Sequence, residues 1–253
     1  MSRKNHQPFF SQSLRLALLF PLFFLLIMWL VKIVEVGMEH DLSYYGLRPR
    51  TWSGLVGILT IPWLHGDWSH LFHNSISLVV FATTLFFFYR NIALKVWLII
   101  YASSGALLWI IGRTGTNHIG MSAIIYGLGF FLFMGGVWQK NQRLAAISLI
   151  LTAFYGGMIW GVLPLEQGVS WEGHLSGAIV GIILAYVYKD SKLGIEHYYE
   201  EKKADIPDII GDAWKLENQD STDFIIPQNE TPTTSRTIIF QYHFKPNQQE
   251  EKD

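Results

Sequence analysis

Three short motifs in this 253-residue chain carry residues able to do chemistry. Ser122 lies in GMSA, two positions after Gly120. A nucleophilic serine needs a base within hydrogen-bond reach and small neighbours that let a carbonyl and the local backbone come close. Gly120 and Ala123 are such neighbours. His174 lies in GHLSGAIVG, where Gly173, Gly177 and Gly181 recur every four residues. They leave one helix face flat, so that a neighbouring helix can approach closely. An imidazole at the mouth of that face is the candidate base. His70 and Asn74, in HGDWSHLFHN, are four apart and share a helical face. Both side chains donate hydrogen bonds, as a developing oxyanion requires. Tyr126 stands one turn beyond Ser122, where its ring would pack against the imidazole.

Each feature also has a plainer reading: a serine capping a helix start, a glycine face that only packs, a polar pair anchoring a loop, a tyrosine filling space. No carboxylate is placed to complete a triad. Glu172, two positions before His174, points to another side of the helix, so the spacing predicts a two-residue dyad. His65 is expected to fix its loop by hydrogen bonding, and His73 and His118 to be structural or interfacial.

The elements that must position these groups follow from composition. Apolar residues make up 50% of the chain and charged ones only 15%, against about 25% charged in an ordinary soluble domain. Charge is also split: residues 190–253 hold 7 Lys and Arg against 14 Asp and Glu, leaving an excess of cations on residues 1–189. A membrane helix needs roughly 20 mostly apolar residues. Six stretches come close, over about residues 14–34, 70–89, 93–112, 118–138, 144–165 and 171–188. The first resembles a signal peptide but runs into Lys32 and Glu35 without a small-residue cleavage site, which predicts a retained anchor. Arg3, Lys4 and Arg15, then Arg90 and Lys95, Lys140 and Arg143, and Lys189 and Lys192 fall at alternate span ends, so the positive-inside bias predicts both termini in the cytoplasm. His70, His118 and His174 would then open spans two, four and six from the outer face at similar depth. The connection over residues 36–69 carries Trp52, Trp63 and Trp68 and is expected to lie at the membrane interface. The tail after residue 190 is read as a polar, acidic cytoplasmic appendage with short structure around IPDIIGDAW and RTIIFQYHF; the NET tripeptide at Asn229 carries no weight. Absence of cysteine excludes disulfides, thiolate metal sites and a cysteine nucleophile. No cluster of Lys and Arg interleaved with aromatics points to nucleic acid.

HGDWSHLFHN, GMSA with the following IIY, and GHLSGAIVG, in this order on spans two, four and six, resemble the rhomboid family of intramembrane serine proteases. The GLRPRTWSGLVGIL segment resembles the corresponding loop of bacterial members. The resemblance covers about residues 14–189. It implies an all-α membrane protein: a six-transmembrane-helix bundle (14–189) with an interfacial loop between helices 1 and 2, a cytoplasmic N-terminal segment (1–13) and a polar C-terminal tail (190–253). It makes Ser122 the nucleophile and His174 the general base. His70, Asn74 and the Ser122 backbone N–H would form the oxyanion hole, Tyr126 would stack on His174, and Gly120 would be the small residue before the nucleophile. It further implies a serine endopeptidase with no cofactor and no metal, acting on single-span membrane proteins in a lipid bilayer, in a bacterial inner membrane. Ala123 departs from the family's usual Gly after the serine, which bears on how tightly spans four and six pack. Two other readings stand beside it: a non-catalytic relative that binds membrane helices for quality control, and a histidine metal site or transporter built from His70, His73, His118 and His174.

Overall fold

The computed structural model describes residues 9–154, 160–164 and 170–193. The chain divides into two units, Met1–Asp205 and Ile206–Asp253. The expected tail structure, Asn229, and the N-terminal Arg3 and Lys4 lie outside the described residues.

Among the described residues the protein is all-helical, with one isolated bridge between Leu47 and His118 in place of any strand. The long helices are α1 (Phe9–Gly37), α3 (Trp68–Phe88), α4 (Ala93–Ile111), α5 (Ser122–Trp138), α6 (Gln142–Phe154) and α7 (Trp171–Val187), with a single-turn α2 at Gly57–Thr60. Three segments are long and apolar enough to cross a membrane: Ser13–Gly37, Trp68–Phe88 and Ala93–Ile111. The apolar helices α5 and α7 are shorter, 17 residues each, or about 25 Å at 1.5 Å per residue. The 13-residue α6 ends where the described residues break off.

Residues 118–121, read from the sequence as the start of a span, are not helical. His118 exchanges both backbone hydrogen bonds with Leu47 at 2.9 Å, and Gly120 has φ +108; either arrangement is incompatible with a helix. The connection before α3 is a series of short turns over Trp52–Trp63, seated on the end of α4. The Arg50 N–H donates to the Trp109 carbonyl at 3.0 Å, and the Trp109 indole donates back to the Thr51 carbonyl at 3.0 Å. Trp52 is 87% exposed.

The core joins α1, α3, α4, α5 and α7 around Phe81, Tyr89, Trp97, Ile100 and Phe131, all essentially inaccessible. Its most extensive interface is between α5 and α7. There the two backbones touch. A Cβ on Gly177 would run into the Ala123 carbonyl and stand 3.0 Å from the Gly127 nitrogen; one on Gly181 would run into the Gly127 carbonyl and stand 3.0 Å from the Phe131 nitrogen. Ala123 meets α7 through its carbonyl. Gly173 does not share this contact. A Cβ there would meet the Ser170 hydroxyl at 2.7 Å and Leu108 of α4 at 3.5 Å. A four-residue repeat drifts by about 40° per step on a helix of 3.6 residues per turn, so the stripe leaves the seam at its upper end.

Gly181→Ala is expected to destabilise the protein by roughly 1–3 kcal/mol, the usual cost of overpacking, although Ala favours a helix more than Gly. Thermal unfolding in detergent measures it, with Gly37→Ala, which meets nothing within 4 Å, as the neutral control.

Candidate active site

The first turn of α3 is set by Asp67. Its side chain caps the helix, accepting the His70 N–H at 2.8 Å, and that hydrogen bond holds its exposed carboxylate below the usual range. His70 and Asn74 follow on one face. Asn74 is buried, and its Nδ2 has no hydrogen-bond partner among the described residues. A buried amide left unpaired is costly and marks a donor held ready for something.

Gly120 lies directly against this pair. A Cβ on it would stand 2.7 Å from both Cε1 and Nε2 of His70 and 3.4 Å from Asn74 Nδ2. Its φ of +108 also lies where residues with a side chain are strained. Only glycine meets both conditions, while its N–H donates to the Ile61 carbonyl at 2.9 Å. The chain then turns into α5, whose first residue is Ser122. The first N–H groups of a helix have no intrahelical acceptor, and the Ser122 amide, two residues after Gly120, is one of them. Ser122 is half-buried.

On α7, the His174 ring stacks on Tyr126 with centroids 4.0 Å apart and planes 6° from parallel. Tyr126 is four residues after Ser122, hence on its face of α5. His174 Nδ1 lies 2.8 Å from the Gly161 carbonyl. A carbonyl only accepts, so Nδ1 carries the proton and Nε2 presents a lone pair. A Cβ on Gly161 would run into the Tyr126 hydroxyl and stand 3.1 Å from His174 Nδ1, so this carbonyl reaches the imidazole because residue 161 is glycine. Sequence reasoning missed Gly161. Every residue has a carbonyl, and only the bare Gly in WGV hinted at a close approach.

The structure therefore gathers His70, Asn74, Gly120, Ser122, Tyr126 and His174 at the N-terminal ends of α3, α5 and α7. Ser122 Oγ makes no hydrogen bond among the described residues, to His174 or to any other group. Nucleophile–base contacts are often long in a resting site and tighten with substrate.

The remaining polar groups are engaged elsewhere. The buried Glu172 carboxylate pairs with Arg113. His118 bonds the Ser170 and Thr116 hydroxyls at 2.6 and 2.8 Å, and the exposed His73 lies 2.8 Å from the Ser69 carbonyl. Among the described residues, no three His, Asp or Glu side chains are grouped as a metal ion would require. His65, expected to fix its loop by hydrogen bonding, has its ring beside the Trp63 carbonyl. Its ring is 2% exposed with both nitrogens unpartnered among the described residues, and it packs edge-on against His70 with centroids 5.1 Å apart.

A family model described as Rhomboid domain matches residues 52–191. An uncharacterized protein of Mycobacterium tuberculosis is 36% identical over 176 residues, covering 65% of this chain and 72% of that protein. One of Mycobacterium leprae is 33% identical over 172 residues, covering 65% and 68%. A Bacillus subtilis protein named "Putative rhomboid protease YdcA" is 29% identical over 140 residues, covering 51% and 65%.

Burial, followed by the neighbouring His70, pushes the His65 pKa from 6.5 down to about 3. The unfolded chain therefore takes up this proton first, and the stability that neutral His65 contributes above about pH 6.5 is lost as pH falls toward 3. The thermal midpoint in detergent is expected to drop between pH 6.5 and 4, and to drop less in His65→Phe.

Proposed function

The chain belongs to the rhomboid family, an integral membrane family, and on that premise we propose that it is an intramembrane serine endopeptidase working through Ser122 and His174. The observation that carries this reading is the state of His174. Stacked on Tyr126 and bonded through Nδ1 to the Gly161 carbonyl, it keeps Nε2 unprotonated, beside the face of α5 that carries Ser122.

In this reading Nε2 takes the Ser122 proton as Oγ attacks the carbonyl of a peptide bond in a substrate's transmembrane segment. The oxyanion that forms is met by Asn74 Nδ2, the His70 ring and the Ser122 N–H, all preorganised against Gly120. The imidazolium then protonates the leaving amine, and water entering the site hydrolyses the acyl-enzyme with His174 again as base. A helical peptide bond is shielded by its own hydrogen bonds, so the substrates are single-span proteins with locally unwound stretches rich in small residues.

The reading carries the six-span arrangement with it. Residues 14–189 form the protease domain in a bacterial inner membrane, the segments at 1–13 and 190–253 lie in the cytoplasm, and the site opens toward the outer face. The starts of α5 and α7 at the site, and not at the surface, account for their 17-residue lengths.

A fluorophosphonate probe should label the purified protein at Ser122, and neither Ser122→Ala nor His174→Ala should be labelled or cleave a model transmembrane substrate. Cleavage retained by both variants would refute the assignment in favour of a non-catalytic helix-binding relative. Asn74→Ala should lower kcat by about 10²–10³, the typical worth of one oxyanion donor, in an initial-rate assay.

A further inference from the structure

Lys32 is an unusual residue to find where it is. It lies on α1, outside the region that matches the family model, on a helix otherwise apolar enough to span a membrane, and it is only 7% exposed. An ammonium has three N–H donors, and here all three are occupied. Lys32 Nζ donates to Glu35 Oε2 at 2.9 Å, to the His65 carbonyl at 2.9 Å and to the Gly66 carbonyl at 3.1 Å. Glu35 is itself tied down, its other oxygen accepting the Leu42 N–H at 3.2 Å.

The two carbonyls belong to the turn that sets the start of α3. Gly66 is followed by Asp67, which caps the helix through the His70 N–H. His65 presents its carbonyl to Lys32 and packs its ring against that of His70, the two planes 66° apart. One turn earlier on α1, the Trp29 indole donates to Ser75 Oγ at 3.0 Å, so α1 holds α3 on both sides of His70 and Asn74. Without the ammonium, the turn would keep two carbonyls aimed at a site with no donor, and it would relax to find others.

We propose that Lys32 is a positioning residue: by clamping the His65 and Gly66 carbonyls it fixes the pitch of the first turns of α3, and so the placement of His70 and Asn74 as oxyanion donors. This rests on the protease reading. It assigns to α1 a part in the chemistry that neither its apolar sequence nor the family match indicates. A buried charge whose only task was to fill space would be better replaced by an apolar side chain of similar volume.

The test uses the full-length protein in detergent. Because removing one member of a buried pair strands the other, Lys32→Met is accompanied by the double variant Lys32→Met/Glu35→Leu, which removes both charges, and by Lys32→Arg, which keeps the donors. Two measurements are made on each: hydrogen exchange of the amides over residues 65–74, and kcat and KM on a transmembrane substrate. The double variant is expected to keep the wild-type unfolding midpoint, to exchange the His70 and Leu71 amides at least tenfold faster, and to lose kcat at least tenfold with KM unchanged. Lys32→Arg should recover most of both. Unchanged exchange overturns the clamp. Faster exchange with unchanged kcat, or a change confined to KM, overturns the positioning role. A wild-type chain that neither cleaves nor takes a fluorophosphonate refutes the protease reading, and with it the positioning role; the exchange result alone then decides whether Lys32 holds the turn.

Discussion

The contact of two helix backbones at Gly177 and Gly181 governs the rest of the architecture. Side chains at an interface can change rotamer to absorb a displacement; carbonyls and amide nitrogens in two helical ladders cannot. With the Ala123 and Gly127 carbonyls lodged where α7 has no Cβ, the relative height and rotation of α5 and α7 have almost no freedom. Tyr126 and His174 each lie three residues before or after these contacts, so their face-to-face stacking follows from the seam and does not itself have to supply it.

A second consequence concerns what the helix ends provide. Three helices begin at one junction, and a helix N-terminus carries unpaired N–H groups and a partial positive charge. A group that becomes negative there is stabilised by the backbone as well as by side chains. In the proposed mechanism the tetrahedral oxygen is such a group. The glycine at position 120 is equally part of this arrangement, because any side chain would occupy the place where His70 and Asn74 converge.

Much of this was legible in the sequence because it depends on helical period. Ser122 and Tyr126, or His70 and Asn74, share faces by spacing alone, and the glycines at 177 and 181 announce a close seam. What was not legible depends on contacts between distant segments. Gly173 leaves the seam because a four-residue repeat drifts around the helix. Residues 118–121 stay outside the helix because Leu47 pairs with His118, a partner 71 positions away, and Gly120 turns the chain with a positive φ. Lys32 read as the polar end of an anchor, since nothing in an apolar run tells which carbonyls will face its one ammonium. The Gly161 carbonyl was invisible for a simpler reason: motif reading weighs side chains, and this acceptor belongs to the main chain.

That last feature sets the character of the proposed base. In a triad, the carboxylate orients the imidazole and also offers a full negative charge to the imidazolium that forms, and replacing aspartate by asparagine there costs about 10⁴ in kcat by imposing the wrong tautomer. The peptide carbonyl of Gly161 selects the useful tautomer yet carries only a dipole. Orientation is thus secured while charge compensation is weak, and the Glu172 carboxylate nearby is already committed to Arg113. A catalyst of the proposed kind would hold its imidazolium weakly, and would therefore depend on peptide bonds that stay presented for long enough.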